Sequence, residues 1–392
     1  MAAAICSSGS TGAGSGTSRA VVCGAGVIGS CTAYFLGKRG VKVTVVDSCG
    51  VATAASGKAG GFLALDWCDG SPVGNLARAS FALHRQLADE LGGETNYGYR
   101  RLDALSVTVK EPTGTAGAGA SASLPSWIDG AIRKSSSIGS QATTAQVHPQ
   151  LFTRTVMSRA ESDFGAEFLK GTVREIRVDP ETAQVSGVVV DDKFVEAETV
   201  VIALGPWCGK LKLVTDLTSI SGLKAHSIIL QPREGRDISP HALFLSFTSR
   251  EGETMDPEVY PRPTGEVYVC GMSEHVELPP DADHVEPKAE AMDMLKRVAG
   301  AVSSQLDGCQ VKAQQACFLP LSVDGVPLIG KLPHAAGVYL ATGHSCWGIL
   351  NAPATGASLA ELIVESHSTT VDLKPFDPAR FLTAEKGRRK FL

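Results

Sequence analysis

The chain has 392 residues, of which 43% are hydrophobic, and its formal net charge is −5 at pH 7. This composition is that of a globular protein of about two domains and excludes a disordered or fibrous chain. The slight acidic excess provides no positive field for a phosphate backbone, so we expect no nucleic-acid partner. No apolar run approaches the roughly 20 residues of a membrane-spanning helix, so we expect no membrane span.

The ten cysteines favour reduced thiols over a disulfide framework. They are scattered along the chain, and several lie in apolar runs such as Val21-Val22-Cys23, where buried, inert thiols are expected. No Cys-x-x-Cys pair is present, and His344 with Cys346 offers too few ligands for zinc. We therefore expect no metal.

Residues 1–18 are small and polar and are expected to form a disordered leader. They lack the cationic start and the apolar core of a secretory signal. They are Ser-rich and acid-poor, as plastid transit peptides are, but they are shorter and poorer in arginine. We therefore expect a cytoplasmic protein, with a plastid location as the alternative.

The first predicted elements, between Arg19 and Asp47, form a βαβ unit. An apolar strand at 20–23 is followed by a glycine turn, a helix with a regular apolar face and an alternating strand at 41–46. This order is typical of the start of a nucleotide-binding sheet.

The rest of the chain contains predicted loops, strands and two helices. Segments 113–123 and 135–146 have too few large side chains to build a core and are predicted to be surface loops or insertions. Strands are predicted at 198–204, 227–231, 243–247, 266–270 and 337–342. Helices are predicted at 287–305 and 353–366.

Helices alternate with strands near both ends of the chain, whereas residues 226–275 resemble consecutive hairpins. We predict an α/β fold in which a discontinuous Rossmann-type domain is interrupted by a β-rich α+β substrate domain. The Rossmann-type domain is assigned to 19–83, 147–215 and 318–370. The substrate domain is assigned to 84–146 and 216–317, and the C-terminal tail to 371–392.

The glycine turn of the βαβ unit has the pattern Gly24-Ala25-Gly26-Val27-Ile28-Gly29. After a strand and before a helix, its glycines make a tight turn, admit a pyrophosphate close to the backbone and let the helix pack on the strand. Asp47 ends the second strand, where a carboxylate accepts hydrogen bonds from an adenosine ribose. Its negative charge disfavours NADP, but the unit alone does not separate NAD from FAD.

Three more small-residue segments favour FAD. The first is 52–61, ATAASGKAGG, where the backbone can approach a large flat ligand. The second and third are VVIALGPW at 200–207 and ATGHSCWG at 341–348, each an apolar strand that ends in a glycine turn. Three such turns can surround one extended cofactor.

These stretches resemble the D-amino-acid oxidase, glycine oxidase and sarcosine oxidase family of FAD-dependent oxidoreductases. The resemblance runs from residue 20 to about 366 and includes VVCGAGVIGSCTAYFLGKRGVKVTVVD, PEVYPRPTGEVYVCG, LSVDGVPLIGKLP and GVYLATGHSCWGILNAPATGASLAELI. The segments GGFLALDWCDG and GHSCWGI resemble most closely a plant and fungal group of candidate oxidoreductases within it. The family fold agrees with the discontinuous architecture predicted above.

The resemblance implies FAD as cofactor and a small-molecule amine as substrate. A hydride leaves the carbon of a C–N bond for flavin N5, and oxygen reoxidises the flavin. The start of the 353–366 helix is expected to stabilise negative charge on the flavin. The cofactor-binding residues that the resemblance implies are Gly24, Gly26, Val27, Ile28, Gly29, Asp47, Ala55, Ser56, Gly57, Gly60, Gly61, Val173, Gly205, Trp207, Cys317, Gly343, His344, Gly348 and Ile349.

The chain departs from the family at its two charged substrate anchors. Amino-acid oxidases place an arginine where this chain has Leu319, and sarcosine oxidases place a lysine where it has Trp347. These two residues and His344 are the candidate substrate-pocket residues. A simple α-amino acid would lose charged hydrogen bonds worth about 1.5–3 kcal/mol each, so a less anionic amine or a modified amino acid is expected.

Several residues have open interpretations. His344 contacts flavin or substrate, or it completes a turn, and Trp347 covers the site or packs in the core. Arg262 is either a solvated charge at a strand end or a substrate clamp. Trp67 and Asp69 are assigned to a structural turn. Cys317 lies where sarcosine oxidases attach FAD covalently, but an inert buried thiol is the competing interpretation.

Two functions follow from the sequence. The first is a flavin enzyme that oxidises an amine, with oxygen as the expected acceptor. The alternative is a flavin-stabilised regulatory or trafficking protein whose catalysis is weak or lost, which the missing anchors also allow.

Overall fold

The computed structural model of this protein describes residues 18–112, 124–233, 235 and 238–382. The predicted loop at 113–123, the predicted leader apart from Ser18, and residues 383–392 of the predicted tail lie outside these ranges. No helix in the described ranges is long and apolar enough to cross a membrane.

The described chain alternates strands and helices near its two ends and is mostly β in between. The strands are β1 (Arg19–Cys23), β2 (Lys42–Asp47), β3 (Phe62–Ala64), β4 (Arg100–Arg101), β5 (Asp103–Lys110), β6 (Ile132–Gly139), β7 (Thr144–Gln146), β8 (Glu167–Lys170), β9 (Val173–Val178), β10 (Val185–Val190), β11 (Lys193–Glu196), β12 (Thr199–Ile202), β13 (Ile220–Gln231), β14 (His241–Thr248), β15 (Thr254–Met255), β16 (Glu258–Pro261), β17 (Val267–Glu274), β18 (Gln310–Ser322), β19 (Leu328–Lys331) and β20 (Val338–Thr342). The α-helices are α1 (Val27–Gly37), α2 (Ala55–Lys58), α3 (Gly74–Leu91), α4 (Gly93–Tyr97), α5 (Pro149–Phe164), α6 (Lys212–Thr215), α7 (Ala289–Val302) and α8 (Gly348–Glu365).

The first sheet has the strand order β19-β20-β12-β1-β2-β8. Its neighbours pair in parallel except β19 and β20. Along β1, Ala20 and Val22 pack with residues of the helical layer, whereas Val21 and Cys23 pack with β9–β12. This alternation covers both faces of the parallel strands, which explains why β1 is apolar throughout. The predicted βαβ unit is confirmed as β1-α1-β2.

The second large sheet has the order β18-β13-β17-β16-β14-β5-β6, with β15 paired to β14. Helix α7 packs on one face of it. The opposite face carries an apolar cluster that also contacts Trp347, the residue just before α8. The predicted mixed α/β fold class is confirmed. The division into two domains stays a prediction, and its boundaries after residues 83 and 317 fall within α3 and β18.

The prediction of a surface loop at 135–146 is wrong, because most of the segment forms strands β6 and β7. Strand β6 pairs only with β5, so its small polar side chains lie on an exposed sheet edge. Strand β7 lies between β3 and β4 and is buried throughout. Backbone hydrogen bonds to other strands therefore make this segment a pair of strands, although it lacks large side chains.

The last helix begins at Gly348, five residues before the predicted start at Pro353. A proline inside a helix removes one N–H and leaves the carbonyl four residues earlier without its usual partner. Here that carbonyl belongs to Ile349, and it accepts a hydrogen bond from Nε2 of His84 at 2.9 Å. A side chain from α3 thus replaces the missing backbone donor, and the helix continues through Pro353.

Candidate cofactor and substrate site

A cleft of about 380 Å³ opens where the parallel strands of the first sheet end. It is bordered by Gly24 after β1, Asp47 at the end of β2, Ala203 after β12 and Thr342 at the end of β20. Ligands of open α/β sheets bind at this edge, and the volume falls in the roughly 300–1,000 Å³ range of small-molecule pockets. The cleft is the candidate ligand site.

Two of the three glycines of this turn have no room for a side chain. Gly24 has φ +110°, and a Cβ there would collide with the carbonyl oxygen of Ala203. A Cβ on Gly29 would collide with the carbonyl oxygen of Gly24, so helix α1 could no longer approach β1. At Gly26 a Cβ would meet only the Ser56 hydroxyl, at 3.1 Å. Gly24 and Gly29 therefore serve the fold, whereas Gly26 leaves the cleft open.

The N-terminus of α1 faces this cleft. Its N-cap is Gly26, which provides no capping side chain, and the first turn contains no acidic residue. The Val27 N–H donates to the hydroxyl of Ser56 at 2.8 Å, and both residues line the cleft. A positive helix end beside a hydroxyl suits the pyrophosphate of a dinucleotide.

The Asp47 carboxylate already accepts three hydrogen bonds from backbone N–H groups. One carboxylate oxygen accepts the Ala25 N–H at 2.9 Å, and the other accepts the N–H groups of Cys49 and Gly50 at 2.9 and 3.0 Å. A carboxylate offers about four acceptor positions, so one remains for a ribose hydroxyl. Asp47 therefore shapes the turn after β2 and can also bind the cofactor.

We expect Asp47→Ala to weaken cofactor binding about 10-fold and to lower the free energy of unfolding by about 1–3 kcal/mol, because three N–H groups lose their acceptor. Titration of the apoprotein with FAD and urea unfolding of the same variant measure the two effects. An Asp47→Ala variant with unchanged affinity would show that this carboxylate does not contact the ribose.

Most of the cofactor-binding residues predicted from sequence line the cleft. They are Gly24, Gly26, Val27, Ile28, Asp47, Ala55, Ser56, Val173, Gly205, Trp207, His344, Gly348 and Ile349, together with the substrate-pocket candidate Leu319. The structure thus brings together residues from β1 to the start of α8, as the three small-residue turns predicted.

Several other predicted residues lie behind the cleft. They are Gly29, Gly57, Gly60, Gly61, Cys317, Gly343 and Trp347, which do not line it. A Cβ on Gly57 would collide with the Ala52 carbonyl oxygen, one on Gly60 with the Tyr260 ring and one on Gly61 with the Val147 carbonyl oxygen. These three glycines permit close packing between chain segments, which explains why their neighbourhood is rich in small residues.

His344 is a buried, neutral side chain at the edge of the cleft. Burial lowers its pKa to about 3. Its Nε2 lies 3.1 Å from the Thr355 hydroxyl, while its Nδ1 has no hydrogen-bond partner in the described structure. The imidazole therefore both braces the turn before α8 and keeps one nitrogen for a ligand.

Helix α8 begins at the same edge. Gly348 and Ile349 line the cleft, and no side chain caps the first N–H groups of this 18-residue helix. The positive ends of α1 and α8 therefore both meet the cleft.

The interpretation of Arg262 as a solvated strand-end charge is wrong. The residue is 7% exposed, and its guanidinium donates to the Ala59 carbonyl at 3.2 Å and lies 3.1 Å from Nε2 of His148. It also lies over the Tyr268 ring, 5.2 Å from the centroid. Arg262 does not line the cleft, so it is not placed to clamp a substrate there either.

Two lining residues, Cys49 and Asp281, were not indicated by the sequence because each lies in an irregular loop. With Asp283 they present ligand atoms that all lie within 4.8 Å of one another. Asp281 accepts the Asp283 N–H at 3.0 Å and pairs with His284 at 2.6 Å. Protein donors therefore account for the position of this carboxylate.

Cys317 is buried in β18 and does not line the cleft. Burial raises the pKa of its thiol to about 11, and the nearby charge of Lys58 opposes part of that rise. A protonated thiol is a poor nucleophile, so the structure favours the inert thiol over a covalent attachment site.

We expect FAD to bind without a covalent bond to Cys317. Acid precipitation of the purified protein should release all the flavin into the supernatant, and Cys317→Ser should carry the same amount of FAD. Flavin that stays in the pellet and adds its mass to the Cys317 peptide would contradict this expectation.

The fold and the cleft together define a dinucleotide-binding oxidoreductase. The chain belongs to the DAO family of FAD-dependent oxidoreductases, whose family model matches residues 19–362. FAD is therefore its cofactor, and the glycine turn, the two helix ends and the unpartnered Nδ1 of His344 suit such a ligand.

Similar proteins agree with this assignment. The chain is 30% identical to a candidate oxidoreductase of Schizosaccharomyces pombe, with 91% of this chain and 97% of the relative covered. It is 26% identical to the glycine oxidase of Geobacillus kaustophilus, with 92% and 96% covered. The crystal structure of glycine oxidase from that organism matches with a TM-score of 0.77 at 23% identity, with 93% and 98% covered.

Proposed function

We propose that this protein oxidises a C–N bond of an amine or a modified amino acid, by hydride transfer to flavin N5 and with oxygen as the electron acceptor. The observation that carries the proposal is the uncharged end of the cleft. There Leu319 and Pro320 meet the lining residues between Ala341 and Ile349, none of which is a lysine or an arginine.

The absence of a cation among these lining residues argues against a substrate with a free carboxylate beside the reacting carbon. Each charged hydrogen bond that such a carboxylate lacks costs about 1.5–3 kcal/mol of binding. The low pKa of His344, about 3, keeps its imidazole neutral, so it does not replace the missing charge. An amine without that carboxylate loses no binding free energy at this end of the cleft.

Bound FAD supplies the hydride acceptor, and the chain supplies position and electrostatics. The N–H groups at the start of α8, which no side chain caps, would stabilise negative charge on a flavin bound beside them. The Nδ1 of His344 is buried and has no partner in the described structure, so it would be available for a hydrogen bond with a ligand. Both features favour the product side of a hydride transfer without a charged side chain.

The test is anaerobic reduction of the FAD-loaded protein by a panel of primary, secondary and tertiary amines. We expect at least one amine to bleach the 450 nm flavin band and to yield an imine or its hydrolysis product, while free FAD under the same conditions stays oxidised. Admission of oxygen should restore the band. Failure of every amine with fully loaded protein would favour the regulatory alternative.

A further inference from the structure

Glu258 lies in an unusual position for an acidic residue. In the cross-strand register it stands beside Phe244 of β14 and Cys270 of β17. Its neighbour along the strand, Val259, packs under α7 on the other face of the sheet. Side chains alternate along a strand, so Glu258 points to the face that meets Trp347 rather than to solvent at the helical face.

Aromatic rings surround this face. The Trp67 ring lies 4.7 Å from the Phe244 ring and 6.4 Å from the Trp347 ring, between centroids. Phe62 lies 4.9 Å from Trp67, and Tyr260 lies 5.8 Å from Phe244. Trp67 lies in a turn, as predicted, and its ring also contacts rings from two distant parts of the chain, at Phe244 and Trp347.

The rings and the carboxylate form one cluster, part of which reaches the surface. Phe62 and Tyr260 are buried, whereas Trp67, Phe244, Trp347 and Glu258 are each only partly buried. We call these six residues the aromatic recess.

The aromatic recess adjoins the cofactor cleft. Trp347 directly follows Cys346, an exposed residue that lines the cleft. The charge of Glu258 is near enough to contribute to the raised pKa of the Cys346 thiol, after the larger effect of burial. The aromatic recess therefore lies next to the part of the cleft that Cys346 lines.

Glu258 has no cationic partner among the described residues. Its carboxylate accepts the Tyr260 hydroxyl at 2.5 Å and the Cys270 thiol at 3.5 Å, and it belongs to none of the ion pairs of the described chain. Burial raises the pKa of this carboxyl. An ionised carboxylate among aromatic rings is costly without a countercharge, so Glu258 either takes up a proton or gains a cation from outside.

We propose that the aromatic recess binds a positively charged group that the substrate carries apart from the neutral amine that is oxidised, with Glu258 as the residue that selects for the charge. Aromatic faces attract alkylammonium ions, and a carboxylate beside them adds a charge-assisted contact. The inference rests on the proposed function and makes it narrower. The chain selects a positively charged group here, whereas the family anchors that it lacks would select a carboxylate.

The test compares two probes of the same shape that differ in charge. The FAD-loaded protein is titrated with choline and with its neutral carbon isostere, 3,3-dimethylbutan-1-ol, and binding is followed by tryptophan fluorescence and the flavin difference spectrum. We expect choline to bind at least about 10-fold more tightly than the isostere. Glu258→Gln should remove that preference while it keeps FAD, and Glu253→Gln, which changes an exposed glutamate in the loop before β15, should leave it intact.

A second variant and the pH dependence of choline binding distinguish the loss of a specific contact from a folding defect. Phe244→Leu keeps apolar volume but removes one ring, so it should weaken choline several-fold and the isostere much less. Choline has a fixed charge, and its binding should therefore strengthen as pH rises through the raised pKa of Glu258. The other titratable groups that face this carboxylate are Tyr260, Cys270 and Cys346, whose raised pKa values keep them neutral between about pH 5 and 8.

Equal affinity for choline and its isostere in the natural protein would overturn the inference. So would a choline preference that survives Glu258→Gln. Neither result depends on turnover, so the inference can fail while amines still bleach the flavin. Conversely, a charge preference in a protein that no amine reduces would contradict the proposed function alone.

Discussion

We expect Gly26→Val to give a folded protein that has lost its yellow colour. A side chain at Gly26 meets only the Ser56 hydroxyl, so the fold tolerates it, but it fills the space at the N-terminus of α1 where a pyrophosphate must approach. FAD affinity should fall at least about 100-fold, because the phosphate contacts are lost together. FAD titration of the apoprotein and the far-ultraviolet circular dichroism spectrum measure affinity and fold.

Two other glycines serve as controls for this experiment. Gly40 lies just beyond the opposite end of α1 with φ +80° and open space around it, so Gly40→Ala should cost about 1–2 kcal/mol of stability and keep FAD. Gly29→Val should fail to fold, because the side chain collides with the backbone of Gly24. Retention of FAD at natural affinity by Gly26→Val would refute the position that we assign to the pyrophosphate.

The second large effect concerns carboxylate substrates. Glycine, sarcosine and simple D-amino acids should reduce the flavin of the natural protein very poorly, because neither Leu319 nor any lining residue between Ala341 and Ile349 is a lysine or an arginine. Two cations line the cleft elsewhere along the chain. Lys210 donates to the backbone carbonyls of Pro279 and Pro280, and Arg174 lies 3.9 Å from the Asp191 carboxylate. Leu319→Arg restores a guanidinium that can hold a carboxylate through two charged hydrogen bonds. We expect this variant to raise kcat/KM for such amino acids about 100-fold, at about 1.5–3 kcal/mol for each bond.

Leu319→Met is the matched control, since it conserves volume and adds no charge. It should leave the weak reaction with amino acids unchanged. Efficient reduction of the natural protein by millimolar glycine or sarcosine would show that another cation binds the carboxylate and would contradict the substrate class proposed here.

The cofactor half of the site could be predicted from local sequence. Gly24, Gly26 and Asp47 lie within one βαβ unit, so spacing along the chain fixes their positions relative to one another. The turns near Gly205 and His344 follow strands of the same sheet, and strand ends meet at one edge. Short-range sequence patterns and one topological rule were therefore sufficient to predict the cofactor half of the site.

The substrate half could not be predicted in the same way. Glu258 lies in a polar segment that resembles an exposed hairpin, and only its register with Phe244 and Cys270 places it among aromatic rings. Arg262 is buried because the Ala59 carbonyl and His148, which come from distant segments, lie against its guanidinium. Such contacts depend on how the second sheet packs against the first. The periodicity of the sequence does not predict that packing.

The central claim is that the chain positions an amine carbon for hydride transfer to FAD. The most direct test is single-turnover reduction of the FAD-loaded protein, without oxygen, by an amine identified in the panel and by the same amine with deuterium on the carbon bonded to nitrogen. We predict that deuterium slows flavin bleaching several-fold and that the product is the corresponding imine or carbonyl compound. Equal rates with both amines, without a product oxidised at that carbon, would contradict the claim.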